Sequence, residues 1–150
     1  MALPRALTWT LALLLGAAPL SACASDCAPV VEGGWIRNPP ADLPMLAGYA
    51  RIVNACDGEA VITGASSPAF GSASLHATIV EDGISKMRET KALHVAAGET
   101  AVLEPGGMHL MLMQPKRRLR QGEEVEIRFE LADGRSLRGQ FEVKGPRAVR

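Results

Sequence analysis

The chain has 150 residues, of which 47% are hydrophobic, 21% charged and 4% aromatic. That apolar share excludes a disordered chain, and the length allows one domain with at most a targeting segment beside it. Sixteen basic residues balance sixteen acidic ones, which leaves no electrostatic footprint for nucleic acid.

The first segment reads as an address rather than as part of the fold. Arg5 is the only charge before Asp26, and Leu7 to Ala18 is an apolar run that includes Leu11, Leu13, Leu14 and Leu15. A basic start, a short apolar core and small residues after it describe a secretory signal. The run falls short of the roughly 20 apolar residues that a transmembrane helix needs. Leu20-Ser21-Ala22-Cys23 fits a bacterial lipobox, which makes Cys23 the lipidation candidate and residues 1–22 the signal. Ala22-Cys23-Ala24 also fits ordinary signal peptidase, with a cut after Ala24. Residues 23–34 then form an N-terminal segment, 35–143 the folded domain and 144–150 a tail.

On either route Cys27 and Cys56 are left as a pair in an exported chain, where disulfides persist. A bridge between them would close a loop of about 30 residues and stabilise the fold by about 3–4 kcal/mol on the chain-entropy model. Two free thiols are the alternative. A cysteine metal site is disfavoured, since neither has a His or second Cys close by in sequence.

Fifteen Gly and ten Pro already favour short strands and turns over a helical bundle. In chain order, strands are expected over Val30 to Arg37, Gly48 to Asn54, Ala60 to Ala65, Ser74 to Val80, Ile84 to Arg88, Thr100 to Glu104 and Met108 to Met113. The clearest alternation comes last: Val125, Ile127, Phe129 and Leu131, then Asp133-Gly134, then Leu137, Phe141 and Val143. Asp82-Gly83 marks another hairpin. Eight or nine short strands at intervals of about 8–12 residues indicate an all-β sandwich or barrel.

Enzyme motifs are absent: there is no Gly-x-Ser-x-Gly, no phosphate-binding Gly-Lys-Ser/Thr loop and no His-Glu-x-x-His. Glu81-Asp82 and Glu123-Glu124 sit beside turns, and Lys116-Arg117-Arg118 with Arg120 reads as a solvated loop. The remaining chemistry is soft. His76 and Met87 lie on the two arms of the Asp82-Gly83 hairpin. His109, Met111 and Met113 share one face of a later strand, because residues two apart on a strand point the same way. Two imidazoles with one or two thioethers would suit Cu(I), whereas zinc more typically recruits Cys or a carboxylate. A Met on an apolar strand is more usually a core filler, with Met108, Leu110 and Leu112 on one buried face and Met111 and Met113 on another.

The hairpin supplies a geometric condition. With a two-residue Asp-Gly loop, Glu81 faces Ile84, Thr78 faces Met87 and His76 faces Glu89, which puts His76 and Met87 on one face as diagonal neighbours. A regular three-residue loop would send them to opposite faces.

The spacing His76-x10-Met87-x21-His109-x-Met111 resembles the signature of the periplasmic PCu(A)C-type copper chaperones. Gly64-Ala65-Ser66-Ser67-Pro68, Glu81-Asp82-Gly83 and Pro105-Gly106-Gly107-Met108-His109-Leu110-Met111-Leu112-Met113 resemble it too, and the likeness runs from about Trp35 to Val143. It implies a cupredoxin-like antiparallel Greek-key sandwich that binds one Cu(I) in the cell envelope through His76, Met87, His109 and Met111. It further implies delivery of the ion to a recipient such as the dinuclear copper centre of a cytochrome oxidase subunit, or wider handling of envelope copper, without catalysis, and a monomer is expected. Met113 and His94 fall outside the four-ligand pattern; Cys27, Cys56 and the lipid anchor at Cys23 are additions to it. A blue-copper electron carrier would need a Cys ligand near its last His, and no Cys follows Cys56. The remaining alternative is a non-metal structural or adhesive sandwich with a Met-rich core face.

Overall fold

The computed structural model describes residues 27–146. The signal segment 1–22, Cys23, the alternative cut after Ala24 and residues 147–150 of the tail lie outside the described residues. Ten strands follow one another: β1 (Val30–Arg37), β2 (Met45–Val53), β3 (Ala60–Ser66), β4 (Phe70–Glu81), β5 (Ile84–Glu89), β6 (Leu93–Val95), β7 (Thr100–Leu103), β8 (Met108–Pro115), β9 (Glu124–Leu131) and β10 (Ser136–Lys144). The fold is all-β, with no helix among the described residues.

Hydrogen bonding joins the strands into a single sheet in the order β5-β4-β8-β2-β1-β10-β9-β3-β6, with β7 paired to β2. A further pairing of β3 with β4, at Ala65 and Ala73, bends this sheet round into a barrel-like ring. Only β1 and β10 run parallel among the pairs described. Closure of this kind removes exposed edges from the ring and leaves β5, β6 and β7 as its outliers.

The core follows from period two. In β9 and β10 the burial alternates residue by residue, and Ile127, Phe129, Phe141 and Val143 are wholly enclosed. Ile36, Ile52, Ile62, Leu110 and Leu112 meet them from the other strands. Leu93 and Val95 pin β6 to the same core. The sequence pattern misses β6 because three residues, Leu93-His94-Val95, are too short to show alternation. Cys27 and Cys56 form a disulfide with Cα atoms 5.7 Å apart, which ties the entry to β1 to the end of β2. Arg135 reinforces this entry by donating a hydrogen bond to the Cys27 carbonyl at 2.7 Å.

A bulge in β1 decides which residues face outward. Val31 opposite Ile52 packs toward the core, but beyond Gly33-Gly34 the register against β2 slips by one, and Ile36 becomes the buried residue. Gly33 has φ +60°, and a Cβ on Gly34 would come within 2.7 Å of the Gln140 carbonyl oxygen, so both positions call for glycine. The slip turns Trp35 and Arg37 to the outer face.

Candidate metal centre

The Asp82-Gly83 hairpin is a two-residue loop. Both residues have positive φ, 53° and 77°, as a type I′ turn requires. Glu81 pairs with Ile84, Thr78 with Met87 and His76 with Glu89, the even register that a two-residue loop requires. His76 and Met87 therefore share a face of the hairpin. All six residues of β5 are exposed, and Met87 keeps 60% of its surface in solvent.

The second arm of the site is β8. Leu110 and Leu112 point into the core and Met108 packs against it, leaving His109, Met111 and Met113 on the outer face. β8 lies between β4 and β2, and its register sets His109 opposite His76 and Met111 opposite Ser74. The two imidazole rings stand with centroids 6.1 Å apart. On the other side Met111 faces Ala47 and Met113 faces Met45.

A surface cavity of about 330 Å³ opens on this face. Met87, His109 and Met111 line it together with Met45, Tyr49 and Arg37. His76 is not in the wall but meets His109 across the β4–β8 ladder. A larger groove of about 880 Å³ lies alongside, sharing Pro39, Leu43 and Leu46, yet it contains none of the His or Met donors. Its Arg117 and Arg118 are paired with Glu123 and Asp42, in line with a solvated basic loop.

Hydrogen bonds orient the rings. His109 is nearly buried, and its Nδ1 sits 3.1 Å from the Gly107 carbonyl, which also accepts the Thr78 amide. A proton on Nδ1 leaves Nε2 as the lone-pair nitrogen, a common arrangement for a metal-ligating imidazole. His76 Nε2 lies 3.0 Å from the Ser74 hydroxyl. His94 is elsewhere, on β6, paired with Glu59.

Among the described residues no group of three or more His, Cys, Asp or Glu side chains is placed to hold a metal. What gathers around the imidazoles is thioether sulfur, so the donor set is neutral and soft. A hydrogen bond from Arg117 pulls the Glu123 carboxyl below its ordinary range against a smaller opposing effect of burial, and Arg135 does the same to Asp133.

Ser74, Met45, Tyr49 and Arg37 are neighbours that sequence reasoning missed. Ser74 could have been found, since it lies two residues before His76 on the same strand face. The other three reach the site only through the pairing of β2 with β8 and β1, for which no local signal exists.

Residues 30–143 match the family described as "Putative lipoprotein LpqE-like". The chain belongs to this LpqE-like, PCu(A)C-type family. It is 34% identical over 105 residues to "Putative lipoprotein Lxx21020" of Leifsonia xyli subsp. xyli (strain CTCB07), covering 69% of this chain and 62% of that relative's length. The solution structure of Cu(I)-DR1885 from Deinococcus radiodurans is 30% identical, with a TM-score of 0.64 over 81% of this chain and 83% of that one. The copper-bound PCuAC domain from PmoF2 is 20% identical and shares the fold, with a TM-score of 0.64 over 77% and 92% of the two chains.

Proposed function

We propose that this LpqE-like protein is a copper carrier that binds one Cu(I) through His76, Met87, His109 and Met111 and passes it to a recipient in the bacterial cell envelope. The observation that carries the reading is one juxtaposition. Two imidazoles face each other at 6.1 Å between centroids, and two thioethers open into the cavity beside them. With metal–nitrogen bonds of about 2 Å, one ion between two rings spans close to that separation. Neutral nitrogen and thioether donors suit Cu(I) over harder ions. The Cu(I)-bound structure of DR1885, at 30% identity, supports the choice of ion.

An exchangeable cargo needs a shallow site, and Met87 on a strand with both faces wet provides one. Copper is then substrate rather than resident cofactor, and no catalytic step is assigned. The recipient we favour is a cytochrome oxidase subunit with a dinuclear copper centre. We place the protein outside the cytoplasm, in the periplasm, with signal 1–22, the functional domain over 35–143 and a lipid at Cys23, in keeping with the lipoprotein description of its relatives. We read the closed sheet as a cupredoxin-like Greek-key sandwich curled at its edges.

The rival, a structural or adhesive sandwich using methionine as core filler, suits Met108 but not Met87 or Met111, which face the cavity. Anaerobic titration against a chromogenic Cu(I) chelator tests the proposal. One equivalent of Cu(I) withdrawn per chain is the expected result; no withdrawal would leave the structural reading.

A further inference from the structure

The wall of the donor cavity contains one permanently charged side chain, Arg37. Its place follows from the backbone, because the β1 bulge turns residue 37 outward. Arg37 pairs with Ala47, and Ala47 with Met111. Only a methyl group therefore stands between Arg37 and Met111 on the outer face, across about 10 Å at a strand spacing of about 4.8 Å.

The guanidinium is held rather than free to swing away. Its Cζ lies 5.5 Å from the Tyr49 ring centre and 5.8 Å from that of Trp35, and the two rings meet at 4.4 Å between centroids, tilted by 36°. Nor is it neutralised: among the described residues no carboxylate pairs with it, and its buried Nε meets no protein acceptor. This positive charge lines the same cavity as Met87, His109 and Met111.

We propose that Arg37 selects the valence of the cargo: its uncompensated charge penalises a divalent ion twice as much as a monovalent one, and so favours Cu(I) over Cu(II). This deepens the Cu(I) reading above and rests on it. The thioethers already prefer the softer ion; Arg37 adds an electrostatic preference that the ligands alone do not supply. At about 8–10 Å and an effective dielectric near 20, the difference is on the order of tenfold in relative affinity once partial screening is allowed for. For a one-electron couple that corresponds to a reduction potential about 59 mV higher with Arg37 present.

The test compares wild type, Arg37→Gln and Arg37→Lys in two competition titrations, anaerobic with a Cu(I) chelator and aerobic with a Cu(II) chelator. Arg37→Gln is expected to hold Cu(II) on the order of tenfold better relative to Cu(I) than wild type does. Arg37→Lys, which keeps the charge, should stay near wild type. Arg37→Leu serves the same purpose should the amide disturb folding, checked by thermal melts. An Arg37→Gln protein that takes one Cu(I) but holds Cu(II) no better than wild type, including no uptake by either, overturns the valence role while leaving the carrier intact. Wild type that takes no Cu(I) overturns the underlying reading instead.

Discussion

The β4–β5 and β9–β10 hairpins both turn at Asp-Gly, yet one is spread in solvent and the other builds the core. Around Asp82-Gly83 the loop has two residues, and every side chain of β5 is exposed. Around Asp133-Gly134 the chain takes one residue more, with the Leu131 amide bonded to the Arg135 carbonyl, and the strands bury every second side chain. The dipeptide sets a reversal in both. What differs is the partner on the far side: β9 and β10 are flanked within the ring by β3 and β1, whereas β5 has a neighbour on one side only. A strand free of core duty can carry a ligand, because losing its side chains costs the fold little.

Truncating one residue on each hairpin separates the two roles. Phe141→Ala should destabilise the protein by about 3–5 kcal/mol, since its ring is wholly enclosed against Phe129. Met87→Ala should shift stability by less than about 0.5 kcal/mol, as surface changes do, while weakening Cu(I) retention. Denaturant unfolding of both variants gives the two numbers; equal losses would refute the division.

Removing the Cys27–Cys56 disulfide, whose residues are 29 apart in sequence, should cost about 3–4 kcal/mol without reaching the face that carries His76 and His109. Melts of a Cys27→Ser/Cys56→Ser protein and its Cu(I) affinity check both halves. Thiol counting on the denatured, unreduced mature chain should find neither Cys27 nor Cys56 free.

Within the site, His76→Ala and His109→Ala should each weaken Cu(I) by more than about a hundredfold, given that losing partners behind a ligand alone costs 10–100-fold. Met113→Ala should change it little, because Met113 faces Met45 and lies outside the cavity wall. Chelator competition reads all three.

The smallest effect belongs to the β9–β10 turn. Arg135 holds the Asp133 carboxylate below its ordinary range, chiefly through a side-chain hydrogen bond. A depressed carboxylate contributes stability that is complete above its unfolded value and is lost as pH falls through the lower folded one. Melting temperatures taken downward from pH 5 should therefore fall less steeply in Asp133→Asn than in wild type.

The same two hairpins show how much the chain reveals in advance. Alternation from Val125 to Val143 is visible because each strand buries one face alone. The shared face of His76 and Met87 is visible because Asp-Gly selects an even loop and therefore a register. Neither kind of signal reaches across the sheet. Tyr49, Met45 and Arg37 come to the site by pairings of distant strands, and the Gly33-Gly34 bulge reverses the parity that a regular reading of β1 would assign to Trp35 and Ile36. The four donors resemble a known pattern, whereas the charge beside them emerges only once β1 is placed.

We propose that imidazole nitrogen and thioether sulfur hold the same ion. The copper K-edge absorption spectrum of the protein loaded anaerobically with one Cu(I) tests it most directly. The expected ligand shell contains both nitrogen and sulfur, with the sulfur contribution reduced in Met87→Ala. A shell without sulfur, or one that the Met87→Ala/Met111→Ala protein leaves unchanged, would contradict it.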